Sequence, residues 1–194
     1  MPRAYRLGKR GERKAQTRTR IIAATLALYR QVGVSGASVP AIARTADVAP
    51  ATVRNHFPHP NDLPEAAANA VLAALEMPDA SIFEGAPGLV ERVRRLAAEL
   101  AAFFERGTEW WEIRQQDRDL ANAWSGPEAR YEERLADLVR VAVSPLEDDP
   151  AVLAVVGMAV GSLYFALRGS GLSSAATVET ELALVIPWLE ARLR

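Results

Sequence analysis

Apolar side chains recur at steps of three and four residues along most of the chain, a spacing that predicts amphipathic helices. In the first predicted helix, residues 12–32, one stripe consists of Ile21, Ala24, Leu28 and Val32. Gly33 follows this stripe. Because a residue just past a helix often takes a left-handed conformation that glycine adopts freely, we expect the helix to end there. An alternation of apolar and polar residues with a period of two is not found, so the sequence predicts an all-α protein.

The stretch SVPAIARTADVAPATVRNHF, residues 38–57, predicts two short helices joined by a tight turn. Ser38 suits the cap of the first helix, because its hydroxyl can accept an amide hydrogen of the first turn. Pro50 begins the second helix, and Pro58 and Pro60 prevent its continuation. Two packed helices of an ordinary core and a helix-turn-helix that binds DNA both fit this pattern.

Glycines and prolines divide the rest of the chain into further predicted helices. These helices are expected at residues 61–77, 88–106, 108–117, 127–143, 150–168 and 174–193. The organisation that follows is a flexible basic arm, a domain with three helices that contains the possible helix-turn-helix, and a helical C-terminal domain. The arm comprises residues 1–11, the domain with the helix pair 12–63 and the last domain 64–194, and helix 61–77 connects the two domains.

The net charge of −1 hides a strong asymmetry between the two ends of the chain. Residues 1–63 carry 11 Lys and Arg against 3 Asp and Glu, whereas residues 64–194 carry 12 against 21. A basic end on an acidic body indicates a polyanionic partner for the basic end. This asymmetry favours double-stranded DNA as the partner of the short helix pair.

The second helix of the pair has the side chains that DNA recognition requires. Arginine can hydrogen-bond guanine with two contacts, asparagine can bond adenine, and threonine can meet a phosphate or the thymine methyl group. His56 contacts a phosphate or packs beside Phe57; the sequence leaves both open. The candidate DNA-binding residues are Lys14, Arg18, Ser38, Pro50, Ala51, Thr52, Arg54, Asn55 and His56.

Residues 18–63 resemble the N-terminal domain of the tetracycline-repressor (TetR) family of bacterial transcription regulators. The matching residues are Arg18, Ile21, Ile22, Ala24, Leu28, Tyr29, Gly33, Ser38, Val39, Ile42, Ala43, Val48, Thr52, Val53, His56, Phe57 and Leu63. The resemblance implies a homodimeric regulator, with dimerisation and effector binding assigned to the C-terminal domain.

The chain departs from the family pattern at several positions near the turn. The family usually has Gly at Asp47 and at Ala51, and Ser at Ala49. It has an aromatic residue at Arg54 and Lys at Pro60, and both of these residues tend to hold phosphates. Arg54 can take over a phosphate contact or read a base, whereas Pro60 cannot replace a lysine.

Two apolar helices of the acidic body are candidates for a two-fold interface. Residues 151–167 carry no charge over 17 residues, and Gly157 and Gly161 would allow close helix approach. We interpret this stretch as a buried helix of a soluble protein, because it is slightly short for a bilayer and lacks flanking basic clusters. Closure of the monomer's own core is the alternative use of these apolar stripes. The candidate interface residues are Gly157, Gly161, Tyr164, Val178, Leu182, Val185 and Leu189.

Aromatic residues in the middle of the chain are candidates for an effector pocket. An aromatic lining with nearby carboxylates suits an apolar or cationic ligand, and ordinary core packing is the alternative for each residue. The candidate ligand-binding residues are Phe103, Trp110, Trp111, Trp124, Tyr131 and Met158.

These features predict a cytoplasmic, homodimeric repressor that binds a palindromic operator and is released by a small effector. The alternatives are a helical module that binds nucleic acid or membranes without sequence preference, and, less favoured, an enzyme on a helical scaffold. Neither a phosphate loop, a nucleotide fingerprint nor a nucleophile elbow occurs in the sequence, and cysteine is absent. We therefore expect no catalytic residue, no metal and no cofactor. The N-terminus predicts no signal peptide.

Overall fold

The computed structural model describes the backbone of residues 3–116 and 125–194, and the side chains of residues 11–113, 126–127 and 129–194. Its regular elements are α1 (Arg3–Gly36), α2 (Val39–Thr45), α3 (Pro50–His56), α4 (Asp62–Leu75), a 3₁₀ turn (Ala80–Phe83), α5 (Leu89–Arg106), α6 (Thr108–Gln116), α7 (Ser125–Val143), α8 (Pro150–Met158), a π turn (Ala159–Leu163), α9 (Tyr164–Gly169) and α10 (Ser174–Arg192). The described residues contain helices and no strand, and the all-α prediction is confirmed.

The first helix differs from the prediction at its start and agrees with it at its end. It begins at Arg3, so its regular backbone continues through the segment that the sequence predicted to be a flexible arm. At Gly33 the backbone leaves the helix, with φ 72° and ψ 176°. This is the left-handed region that glycine enters without steric cost, and it separates the last turn of α1 from the rest.

The described residues fall into two compact units. The first contains α1 to α4 and α6 from Glu109 onward. Its core is built from apolar side chains of α1 to α4, among them Ala24, Ala43, Ala46 and Ala66. The small size of these alanines allows the helices to cross closely.

The second unit contains α5 and α7 to α10. α10 packs mainly against α5 and also contacts α8, the π turn and α9. Its core includes Leu96, Leu100 and Phe103 of α5, which are fully buried. The helices of this unit have the lengths that the sequence periodicity predicts, within one or two residues at most ends.

The helix segments from Pro150 to Gly169 follow one another without a break. By length and composition alone, this is the one helix among the described residues that could cross a membrane. Only 28% of its most apolar window is buried within the chain. Within a single chain this apolar helix is therefore partly exposed.

Candidate nucleic-acid interface

The helix pair is held together by its inward apolar residues, and this leaves one face of α3 outward. Val53 of α3 is only 2% exposed and packs with Ile42 and Ala43 of α2. Because neighbouring helix positions point in different directions, burial of Val53 turns Arg54 and Asn55 toward solvent. Packing against α2 therefore fixes α3 with its polar side exposed to solvent.

The ends of α2 are formed as the sequence predicts. The Ser38 hydroxyl accepts a hydrogen bond from the Ala41 amide at 3.4 Å. After α2, Asp47 adopts φ 52°, a left-handed conformation that few residues other than glycine take readily. The turn therefore places a strained residue at a position where the TetR pattern has glycine.

The structure brings most of the predicted DNA-binding residues to the exposed surface of α3 and its surroundings. Arg54, Asn55, Pro50 and Ala51 are exposed, and Thr52 and His56 are half-buried. The remaining members of the set, Lys14, Arg18 and Ser38, are also exposed. The side chains of α3 include a guanidinium, an amide and a hydroxyl, which are the groups that read base edges in a major groove.

Arg18 also has a contact within the chain that the sequence did not predict. Its Nη1 donates a hydrogen bond to the carbonyl oxygen of His56 at 3.2 Å, and its guanidinium lies 4.3 Å from the centre of the Phe57 ring. Phe57 is buried, so its prediction as a core residue agrees with the structure. Arg18 therefore joins α1 to the end of α3 while it remains accessible from solvent.

His56 lies in a basic environment. Burial lowers the pKa of its imidazole from 6.5, and the nearby charges of Lys14 and Arg18 lower this pKa further. The ring is therefore mainly neutral at neutral pH, and one ring nitrogen can donate a hydrogen bond. The neutral imidazole of His56 can therefore donate a hydrogen bond to a phosphate without adding a third positive charge beside Lys14 and Arg18.

Sequence reasoning missed Arg30 of α1. Its Nε donates to the Glu109 carboxylate of α6 at 2.9 Å, and its guanidinium lies 4.3 Å from the centre of the Trp110 ring. This contact attaches α6 to the first helix of the unit that carries α3. No sequence signal pairs these residues, which are 79 positions apart.

The predicted effector residues that the structure describes are divided between the two units. Phe103 of α5 stacks on Tyr131 of α7, with ring centres 5.9 Å apart. Trp110 is buried in the other unit beside Arg30, and Trp111 is half-buried. Two further members of the set lie elsewhere: Met158 is 60% exposed on a surface groove, and Trp124 is outside the described residues.

The predicted interface residues are also divided. Tyr164, Val185 and Leu189 are buried inside the second unit, where they close the monomer's own core. Gly157, Gly161, Val178 and Leu182 are half-buried. Over the first turns of α10 the fully buried residues are Thr177 and Glu181, each one position before the half-buried interface candidates Val178 and Leu182. Sequence reasoning passed over both residues because they are polar.

An apolar groove lies on the surface of this second unit, between the helix segments from Pro150 to Gly169 and α10. Its volume is about 540 Å³. Large exposed side chains stand on both sides of it, with Met158 60% and Leu184 61% exposed. The lining residues are Val155, Met158, Ala159, Ser162, Leu163, Ala166, Leu184, Val185 and Trp188.

Comparison with known proteins agrees with the geometry of the helix pair. Residues 21–67 match the family model described as "Bacterial regulatory proteins, tetR family". No curated protein sequence matches the chain significantly. The matched segment contains α2, α3 and the buried core residues Ile21 and Val53, so the resemblance seen in the sequence is confirmed.

Solved structures share the fold over most of the chain. The multidrug binding protein EbrR, whose crystal structure is of its complex with imidazole, has a TM-score of 0.65 and 19% identity, and the match covers 89% of each chain. A proposed fatty acid metabolism regulator of Clostridium perfringens has a TM-score of 0.59 and 14% identity, with 86% of this chain and 96% of that one covered. The likeness therefore extends beyond the helix-turn-helix into the second unit.

Proposed function

We propose that this chain, whose residues 21–67 match the tetR family of bacterial regulatory proteins, is a homodimeric repressor that a small-molecule effector releases from its operator. The matched family consists of regulatory proteins, which supports a DNA-binding transcription regulator and not an enzyme. Its site of action is the cytoplasm, where the DNA of a bacterium lies.

The observation that carries the proposal is the exposed face of α3. Burial of Val53 holds α3 in place, and Arg54 and Asn55 extend from it into solvent. In a helix-turn-helix the second helix enters the major groove, where these two side chains can discriminate base pairs. Lys14 and Arg18 are positioned to add phosphate contacts, which contribute affinity without sequence preference.

The uncovered apolar groove supports a dimer. Met158 and Leu184 line this groove and expose large apolar surface. Exposed apolar patches of this kind mark interaction sites. A second copy of the chain is the proposed occupant, because a two-fold dimer presents two recognition helices to half-sites about 34 Å apart.

Effector release requires that the ligand prefer one of two dimer conformations. A ligand that binds better to the conformation with the wrong spacing of recognition helices lowers DNA affinity by population shift. The contact of Arg30 with Glu109 and Trp110 is a candidate route, because it ties α6 to α1. EbrR, a structural neighbour described as a multidrug binding protein, supports a small molecule as the effector.

Affinity selection of genomic DNA tests this function. Purified protein would capture fragmented DNA of its source organism in about 150 mM salt, which suppresses binding that is purely electrostatic. We expect enrichment of a short palindrome. Enrichment without any shared sequence would instead support the module that binds nucleic acid non-specifically, and absence of enrichment would contradict the regulator.

The capture is repeated with two variants that each lose one positive charge. Arg54→Ala removes a group of the recognition surface, whereas Arg94→Ala removes an exposed arginine of α5 in the other unit. We expect loss of the palindrome with the first variant only. Equal loss with both variants would assign the binding to net charge and not to α3.

A further inference from the structure

Glu181 is a carboxyl group buried in the second unit without a partner. Its side chain is 2% exposed on α10, and neither carboxylate oxygen has a hydrogen-bond partner among the described residues. Burial alone raises the pKa of this carboxyl to about 7, since no neighbouring cation offsets the loss of solvent. Buried carboxyl groups in proteins are usually paired, because an unpaired one is costly to desolvate.

Thr177 lies one helical turn before Glu181 and is also unpartnered. It is fully buried, and its Oγ1 has no hydrogen-bond partner among the described residues. Other threonines of this chain donate to the carbonyl four residues earlier: Thr25 to Ile21 at 2.8 Å and Thr180 to Ala176 at 2.7 Å. Thr177 lacks this bond, so its hydroxyl is available to another group.

The two side chains form one polar surface, because helix positions four apart are neighbours on the same face. Ser174, one turn earlier on this face, is within 3.0 Å of the Tyr164 hydroxyl, which also donates to Glu105 at 3.0 Å. Arg168 pairs with the same carboxylate of Glu105. The charges near Ser174 are therefore already paired with each other, whereas Thr177 and Glu181 are not.

A metal ion does not account for this pair. Among the described residues, no group of three or more histidine, cysteine, aspartate or glutamate side chains could hold one. One carboxylate and one hydroxyl are too few ligands for a divalent cation. They are sufficient for an ammonium group, which has up to three hydrogens to donate and a charge that a carboxylate neutralises.

We propose that Thr177 and Glu181 receive the protonated amine of an effector whose remaining body is apolar. This inference rests on the proposed regulator function and specifies its ligand class. The ammonium donates one hydrogen to a carboxylate oxygen of Glu181 and another to Thr177 Oγ1. The apolar body extends toward the aromatic cluster of Tyr164, which contacts Ser174 of α10 and has ring centres 5.0 Å from Phe104 and 5.6 Å from Phe165.

Calorimetry with three matched probes tests the ligand class. The probes are phenethylamine, 2-phenylethanol and phenylacetate, which share a ring and differ in the charge of the end group. We expect the amine to bind the wild-type protein at least about 10-fold more tightly than the other two, as a charge-assisted hydrogen bond requires. Equal binding of the three probes, or no binding of the amine, overturns the proposal.

Two pairs of variants locate the site on α10. Glu181→Gln should lower amine affinity about 10-fold or more, and Thr177→Val should lower it several-fold. The matched controls are Glu179→Gln, at an exposed position, and Thr180→Val, whose hydroxyl already bonds within the helix. Loss of affinity in the controls to the same extent, or none in either test variant, overturns the assignment.

DNA binding of the same preparations separates this inference from the proposed function. Glu181→Gln should still capture the operator, and phenethylamine should no longer release it. Failure of the wild-type protein to bind any operator would overturn the regulator, while amine binding measured by calorimetry would still report on Glu181. If Glu181→Gln does not fold, the probe comparison on the wild-type protein and on Thr177→Val decides the question.

Discussion

The guanidinium of Arg18 lies 4.3 Å from the centre of the Phe57 ring, directly beyond the C-terminal end of the recognition helix. Its Nη1 donates to the carbonyl of His56, a favourable contact because unpaired carbonyls make this helix end electronegative. Arg18 is therefore a positioning residue for α3 as well as a candidate phosphate contact.

Replacement of Arg18 by alanine should reduce both stability and DNA binding. We expect a loss of about 1–2 kcal/mol in the free energy of unfolding, from one hydrogen bond and one cation–π contact. Arg20→Ala is the control, since Arg20 is exposed in the same helix. Urea denaturation of both variants measures the difference, and equal stabilities would show that the Arg18 contact does not hold α3.

Asp47 should be replaceable by glycine with a gain in stability. Its φ of 52° is left-handed, and glycine adopts this conformation without the steric cost that a Cβ imposes. We expect Asp47→Gly to raise the free energy of unfolding by about 0.5–1 kcal/mol and Asp47→Ala to lower it. Thermal denaturation measures both, and a stabilising alanine would contradict the strain at this turn.

Arg54 and Asn55 should determine operator specificity. Alanine at either position should weaken operator binding by about 1–3 kcal/mol, or roughly 5- to 150-fold, because each side chain can form two bonds with one base. Both residues are exposed, so stability should not change. Titration of labelled operator and of unrelated DNA measures the effect; a similar loss on both DNAs would mean that these side chains contact phosphates only.

Leu184 should be essential for dimer formation. A glutamate at this position would place a charge in the apolar groove, where a paired copy would have to desolvate it. Val141→Glu is the control, because Val141 is also exposed and apolar but does not line the groove. We expect sedimentation to find monomers for Leu184→Glu and dimers for Val141→Glu. Dimers of both variants would exclude this groove as the interface.

Stability should fall as the pH rises, through the titration of Glu181. Its pKa is about 7 in the folded protein and 4.5 without burial, so between these values the folded state holds a proton that the unfolded state has lost. The contribution of the protonated carboxyl to the free energy of unfolding is fully present below about pH 4.5. It is lost as the pH rises to about 7, and the total loss is up to about 3 kcal/mol. Urea denaturation at pH 5 and 8 should show this loss in the wild-type protein and not in Glu181→Gln. An equal pH dependence in both would contradict burial of the carboxyl.

The helix-turn-helix could be predicted almost entirely from local sequence. Ser38, Pro50 and Pro58 set helix ends through hydrogen bonding and ring geometry within a few residues. The burial of Val53 follows from its spacing to its neighbours in a short helix. The bond from Arg18 to His56 was not predictable, because it joins residues 38 positions apart and depends on how α1 crosses α3.

In the acidic body the sequence by itself determined the helices, since a period of 3.6 in apolar residues and the breaks between them are local properties. Only the tertiary structure decided which stripe of each helix is inward. α10 has apolar residues on two sides, and periodicity favoured Val178 and Leu182 as interface residues, whereas the fold of the second unit buried Thr177 and Glu181. Burial of the Glu181 carboxyl costs free energy, and contacts of the whole helix with its neighbours offset this cost. Because these contacts are tertiary, no local sequence pattern predicts that the carboxyl is buried.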